Sequence, residues 1–171
     1  HSLVLAVNLS VKDLVQEDMH TKLESLIKRN ELPMNVLELE ITESTLMDHP
    51  ELMIQELNKI KRMGITVAVD DFGSGYSSLN YLKKLPVDVL KIDRSFISDI
   101  ESDPNDSAIV AGIIALAKNL GMSTVAEGVE TEAQRYILQN LGCDSFQGYL
   151  VSKPVPPELF AEQFLTPEKV I

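Results

Sequence analysis

Thr66-Val67-Ala68-Val69-Asp70-Asp71-Phe72-Gly73-Ser74-Gly75 is a β-branched run that ends in two adjacent carboxylates and a pair of glycines. Alternation puts Val67 and Val69 on one face and Ala68 and Asp70 on the other, with Asp71 just beyond. Parallel strands covered by helices are normally apolar on both faces. A carboxylate near the end of such a strand therefore needs a reason. Working outward, five more runs read as strands: Leu3 to Leu9, Val36 to Thr42, Val87 to Asp93, Ser123 to Glu127 and Ser145 to Leu150. The Asp70 run itself is expected to span Thr66 to Asp71.

Amphipathic stretches separate these runs. Met19, Leu23, Leu26 and Ile27 share one helical face. A second helix opens with Asp48 and Glu51 in capping-box spacing, carries Pro50 in its first turn and stops near Gly64. A short one is expected from Ser77 to Leu85, ended by Pro86. A fourth runs from about Ser107 to Leu120. A fifth opens with Thr131 and Gln134 in capping-box spacing and stops at Gly142. A last helix follows Pro156 and Pro157. Strand and helix alternate six times, which implies parallel strands with helices packed outside.

Two architectures fit: an open doubly wound sheet, or a (β/α)8 barrel short of two units. A full barrel takes ~250 residues, so 171 residues leave roughly 80 unaccounted for, or about two units of ~30 residues. The expected fold class is α/β, a TIM-like barrel with about six of its eight β-α units present. The chain opens at His1, and we read it as part of something longer.

Composition narrows the function. With 15 Lys and Arg against 26 Asp and Glu, the net charge is -11, which argues against a binder of nucleic-acid polymers. The longest apolar run, Ala108 to Ala117, is about half a membrane span. The single cysteine, Cys143, excludes an internal disulfide and fits a reducing, cytoplasmic setting.

Each strand carries polar residues of one parity near its carboxyl end: Asn8, Glu40, Asp70 with Asp71, Lys91 with Asp93, Glu127 and Gln147. In a β/α barrel these ends form the active-site mouth. Carboxylates gathered there repel one another unless cations neutralise them. Hard oxygen ligands favour Mg²⁺, Mn²⁺ or Ca²⁺ over zinc, and adjacent Asp70 and Asp71 can bridge two ions. Plainer readings exist for individual residues. Asp48 reads as a helix cap, and Glu38 as a structural charge partner of Lys91. Asp70 and Asp71 alone could form a turn before Gly73. The glycine pair is weak evidence for a phosphate cradle. His20 and His49 read as solvated surface, and Cys143 as core. The constellation outweighs these because its parity agrees strand after strand.

Six segments, in order, carry a resemblance: Val7-Asn8-Leu9-Ser10, Glu38 to Ser44, Asp70 to Leu79, Leu90-Lys91-Ile92-Asp93, Ala126 to Thr131 and Gln147 to Pro154. Together they resemble the EAL domain, a family of cyclic-di-GMP phosphodiesterases. The resemblance implies a TIM-like barrel that hydrolyses cyclic-di-GMP to linear pGpG with two Mg²⁺ or Mn²⁺ ions, Ca²⁺ being inhibitory. By position, Asn8, Glu40 and Asp70 resemble ligands of the first ion. Asp70, Asp71 and Glu127 resemble those that hold the second ion and its water. Lys91 looks like the residue that positions the water and stabilises phosphate charge, supported by Asp93. Gln147 is similar to a guanine-contacting residue. Glu43 resembles the glutamate that anchors the Asp71-to-Ser77 loop and couples it to dimerisation.

The resemblance further implies a homodimer and upstream sensory or diguanylate cyclase domains, with a parent that can be membrane-anchored. The Glu-Ala-Leu signature itself does not occur in these residues. Residues 1–171 are therefore expected to be the C-terminal portion of the domain, lacking two N-terminal units and poorly active alone. Two other classes stay open. One is a non-catalytic cyclic-di-GMP sensor or interaction domain. The other is a Schiff-base aldolase using Lys91, against which the carboxylates argue by keeping that lysine protonated.

Overall fold

The computed structural model describes residues 3–16, 18–33, 36–48, 50–75 and 79–165. Six strands, β1 (Leu5–Asn8), β2 (Leu37–Thr42), β3 (Thr66–Phe72), β4 (Val89–Ile92), β5 (Ser123–Glu127) and β6 (Ser145–Gln147), pair in chain order, and every pairing is parallel. Nine α-helices among the described residues connect or flank them: α1 (Val11–Leu14), α2 (Met19–Arg29), α3 (Glu43–Asp48), α4 (Pro50–Arg62), α5 (Leu79–Leu82), α6 (Arg94–Ser98), α7 (Pro104–Leu120), α8 (Glu132–Leu141) and α9 (Pro157–Phe160). A π-helical turn, Ala161–Leu165, follows the last. The result is a half-barrel of the TIM-like kind, as the alternation of patterns predicts.

Local chemistry fixes the helix ends. Thr131 Oγ1 accepts from Gln134 N at 3.0 Å while the Gln134 side chain accepts from Thr131 N, the reciprocal box read from the sequence. Gly142 closes α8 in the left-handed conformation at φ 80°. Helix α7 begins three residues before the expected Ser107, because Asp103 caps it and Pro104 fills its first position. The predicted Asp48 cap and the Ser77–Ser78 part of the short-helix reading lie outside the described side chains and residues, as do His1 and His49.

Leu39, Ile41, Val67, Val69, Leu90 and Ile92 are buried in one cluster with Met53, Leu57 and Ile60 of α4 and Val110, Ile114 and Ala117 of α7. This core holds the sheet to its helical layer and leaves the other strand parity for the polar residues. Strand β6 stops at Gln147 rather than Leu150. Gly148 there presses so closely on the neighbouring loop that a Cβ would sit 2.1 Å from Val129 O, and Leu150 N donates to Val129 O at 3.0 Å. The two edges of the sheet are apolar and open. Leu5 and Val7 of β1 are 55% and 40% exposed. Beside β6, Phe146, Tyr149, Val151, Phe160 and Phe164 line a cavity of about 570 Å³. Among the described residues, no helix is long and apolar enough to cross a membrane.

Candidate active site

The centre of the site is Lys91, 4% exposed in β4. Its Nζ lies 2.6 Å from Glu40 Oε1, 2.8 Å from Asp70 Oδ1 and 2.8 Å from Glu127 Oε1. One ammonium thus gathers carboxylates from β2, β3 and β5. Burial alone would lower the pKa of Lys91, but the close carboxylates of Asp70, Glu127 and Glu40 outweigh it and hold the lysine charged far above its usual range. This also argues against the aldolase reading, which needs a neutral amine.

Three carboxylates against one ammonium leave the cluster with a net negative charge. Burial raises the pKa of Glu127; Lys91 offsets part of the rise, while Asp70 and Glu40 add to it. Burial and the neighbouring Asp70 likewise raise the pKa of Asp71, and Asp93 beside it adds to the rise. Asp93 moves the other way. Burial opposes its ionisation, but bonds from the Ser95 hydroxyl and N–H, and from Asp71, outweigh that. Asp71 sits at φ 53°, a left-handed conformation costing roughly 1 kcal/mol outside glycine.

Oxygens of Asp70, Asp71 and Glu127 lie within 4.8 Å of one another. Asp70 Oδ1 is buried and meets Lys91 Nζ as an ion pair, with no directed hydrogen bond among the described residues. A clustered set of hard oxygen donors of this kind fits a divalent cation. Asn8 stands at the end of β1, in register with Glu40. Gln147 ends β6, in register with Glu127. Both border the cluster at the positions that the strand parity predicts.

Glu43, the first residue of α3, is 2% exposed. Its Oε2 accepts the Gly73 N–H at 2.8 Å, and its Oε1 is buried with no hydrogen-bond partner among the described residues. From the other side, Phe96 approaches Gly73 so closely that a Cβ would lie 2.8 Å from its ring. The glycines after Asp71 therefore serve close packing.

Other expectations need correction. Glu38 is not the direct partner of Lys91; that place belongs to Glu40, Asp70 and Glu127, and Glu38 feels the lysine only through space. Asp93 does not continue the strand. Its side chain caps α6 by accepting from Ser95 N at 2.8 Å. His20 is not a freely solvated surface residue: its side chain is 21% exposed, with Nε2 3.4 Å from Glu56 Oε2. Cys143 is half-buried against the core, as expected, with Sγ donating to Ser145 O.

A cavity of about 540 Å³ opens beside the cluster, bounded by Asp71, Asp93, Glu127 and Gln147 and also by Arg94, Glu130 and Tyr149. The last three were assigned no role from the sequence. All lie inside or next to the six quoted motifs, and that adjacency is the signal that could have found them.

The EAL domain family matches residues 1–154. This chain belongs to the EAL domain family. It is 45% identical over 154 residues to the bifunctional diguanylate cyclase/cyclic di-GMP phosphodiesterase MucR of Pseudomonas aeruginosa, covering 90% of this chain and 22% of that protein. It superposes with TM-score 0.87 and 44% identity on the PaMucR phosphodiesterase in complex with c-di-GMP, covering 92% of this chain and 64% of that one. It also superposes with TM-score 0.83 and 32% identity on Klebsiella pneumoniae BlrP1 in a manganese/cy-diGMP complex, covering 90% and 39%. The chain spans about a fifth of the length of the curated relatives it matches.

Proposed function

We propose that the protein carrying this chain is a metal-dependent phosphodiesterase that hydrolyses cyclic-di-GMP to linear pGpG. The observation that carries this reading is the convergence of Asp70, Asp71 and Glu127 within 4.8 Å beside a buried lysine. Names of relatives such as MucR support the substrate, and the manganese complex of BlrP1 supports a divalent ion.

Asn8, Glu40 and Asp70 would hold one Mg²⁺ or Mn²⁺, and Asp70, Asp71 and Glu127 the other, with Ca²⁺ acting as an inhibitor. When bound, such ions acidify a water molecule and offset charge on the phosphate. The chain's own residues do the rest. Lys91, kept protonated by its three carboxylates, supplies a fixed positive charge where the phosphate charge builds up. Asp93 borders the same cavity as Asp71 and supports the cluster from there. Gln147, at the cavity wall, has the paired donor and acceptor that a guanine edge requires. Glu43 positions the Gly73 loop and, through it, Asp71.

Residues 1–171 form the C-terminal portion of the EAL domain in this reading, with two β-α units supplied by further sequence. The open apolar edges at β1 and β6 support it, as does coverage of only 64% of the MucR phosphodiesterase chain. The complete domain is a cytoplasmic homodimer attached to sensory or diguanylate cyclase domains. The test is release of pGpG by the full-length protein with Mg²⁺ or Mn²⁺, and its loss with EDTA. Tight binding of cyclic-di-GMP without cleavage would instead establish a sensor domain. The isolated 171-residue chain is expected to hydrolyse the nucleotide poorly; robust turnover by mass-verified chain would overturn the portion reading.

A further inference from the structure

The cavity beside the carboxylate cluster presents a problem of sign. Asp71, Asp93, Glu127 and Glu130 all border it, yet the proposed substrate carries two phosphodiester charges. Ions held by Asp70, Asp71 and Glu127 would answer the charge only at their own end. Among the described residues lining the cavity, the one cationic side chain is Arg94, the first residue of α6. It is exposed and takes part in none of the ion pairs of the described residues. Asp93, its chain neighbour, feels its charge.

The arginine also has a seat. Gly128 adopts φ +71°, and a Cβ built there would lie 2.8 Å from Arg94 Cγ, 2.9 Å from its Cβ and 3.0 Å from its Cδ. The missing side chain at position 128 is therefore the space in which the arginine stem lies. That packing fixes the stem across the loop following Glu127 and leaves the guanidinium at the cavity rim with no ion pair among the described residues. A long cationic side chain held by its apolar stem, with its head uncommitted, is prepared to meet an anion.

We propose that Arg94 is a substrate-contacting residue that binds a phosphodiester of the cyclic dinucleotide, away from the ion-binding carboxylates. The inference rests on the phosphodiesterase reading for the identity of the ligand. A guanidinium on phosphate makes charge-assisted hydrogen bonds, and its removal takes away the one cationic side chain that the described residues supply to a cavity bordered by four carboxylates.

The experiment compares Arg94→Ala and Arg94→Lys in the full-length protein. Cyclic-di-GMP binding is measured by calorimetry in Ca²⁺, turnover is measured in Mg²⁺, and thermal melting is recorded for each variant. Arg94→Ala is expected to weaken binding and raise KM by about 10- to 100-fold, the loss of a charged hydrogen bond, with kcat within a few-fold and the melting temperature unchanged. Its affinity should also depend less on ionic strength, because one steering charge is gone. Arg94→Lys should restore most of the binding, since phosphate accepts a point charge.

Three results would overturn the inference. One is unchanged binding by Arg94→Ala. Another is a kcat loss with binding intact. The third is Arg94→Lys as weak as Arg94→Ala with lost preference for guanine over adenine dinucleotides, which would place the guanidinium on a base edge. Binding without cleavage by the wild type would sink the enzymatic reading while leaving the Arg94 comparison decisive. No binding by the wild type would sink both.

Discussion

Carboxylates occupy both ends of the sheet, and the two ends treat them differently. At the amino ends of the strands, Asp88 receives Lys61 Nζ on both oxygens at 2.6 Å and Val67 N on Oδ2 at 2.9 Å. Asp144 Oδ2 accepts from Thr124 N at 2.8 Å and from Thr124 Oγ1 at 2.9 Å. Each of these acids ties its strand to the next through donors that the fold supplies. At the carboxyl ends, Glu40, Asp70 and Glu127 share one ammonium, and among the described residues Asp70 Oδ1 and Glu43 Oε1 are buried with no directed hydrogen bond. Asp71 stands in a left-handed backbone conformation. A satisfied carboxylate is framework, whereas an unsatisfied one retains capacity for something from outside. In a β/α barrel this asymmetry separates the stabilising face from the reacting face.

The strongest way to break the comparison is Asp70→Asn in the full-length protein. The substitution keeps the shape of the side chain and removes the charge at the centre of the ion-binding set. Metal-dependent cleavage of cyclic-di-GMP should fall by more than about 100-fold, beyond the loss typical of an outer-shell change. The melting temperature should hold or rise, because one of three crowded like charges is gone. A near-normal rate at ordinary Mg²⁺ would mean that Asp70 is not a ligand.

Asp88→Ala addresses the other end. It removes the partner of Lys61 and the acceptor of Val67 N. The pair is about one-third exposed, so solvent screens its Coulomb attraction and the backbone hydrogen bond carries most of the loss. Stability should drop by roughly 1–3 kcal/mol, read as a melting shift of about 2–4 °C per kcal/mol. The rate per folded molecule should be unchanged. If this variant lost activity while remaining folded, the division between the two ends would fail.

This division was partly legible before any coordinates. Period-two alternation assigned Glu40, Asp70, Lys91 and Glu127 to the polar parity, and parallel strands of one sense bring that parity to one mouth. The box at Thr131 and Gln134 was equally legible, since a cap and its partner are three residues apart. What escaped was either too short or too distant. Helices α1, α3 and α6 span one turn or little more, too few residues for a period to register. Asp93 reads as a strand terminus because nothing local distinguishes a last strand residue from a helix cap. The choice among Glu38, Glu40, Asp70 and Glu127 as partners of Lys91 depends on strand register and side-chain reach, which only the assembled sheet determines. His20 meets Glu56 across 36 residues for the same reason.

Gln147→Ala sharpens the comparison within the reacting end. Gln147 borders the cavity and is in register with Glu127, but an amide adds no charge to the ion-binding set. Its loss should raise KM several-fold, about 1 kcal/mol for a neutral hydrogen bond, and lower kcat less. A kcat effect exceeding the KM effect would move Gln147 from gripping the base to the chemistry.

The smallest effect concerns Cys143, one residue before Asp144 at the framework end. Burial is the main influence on its thiol and raises the pKa; bonds with Thr124 and the Ser145 and Ala126 backbones only partly offset it. The thiolate is the reactive form, so iodoacetamide should label native protein slowly at neutral pH and much faster in urea. The sign for stability follows from linkage. The unfolded thiol ionises at its ordinary pKa while the folded one still holds its proton, so the unfolded state gains relative stability as pH rises between the two values. Stability should therefore decline slightly with alkaline pH through that window, and Cys143→Ala should flatten the decline without altering turnover. Rapid labelling of the native protein would show that this end of the sheet, too, presents a reactive group.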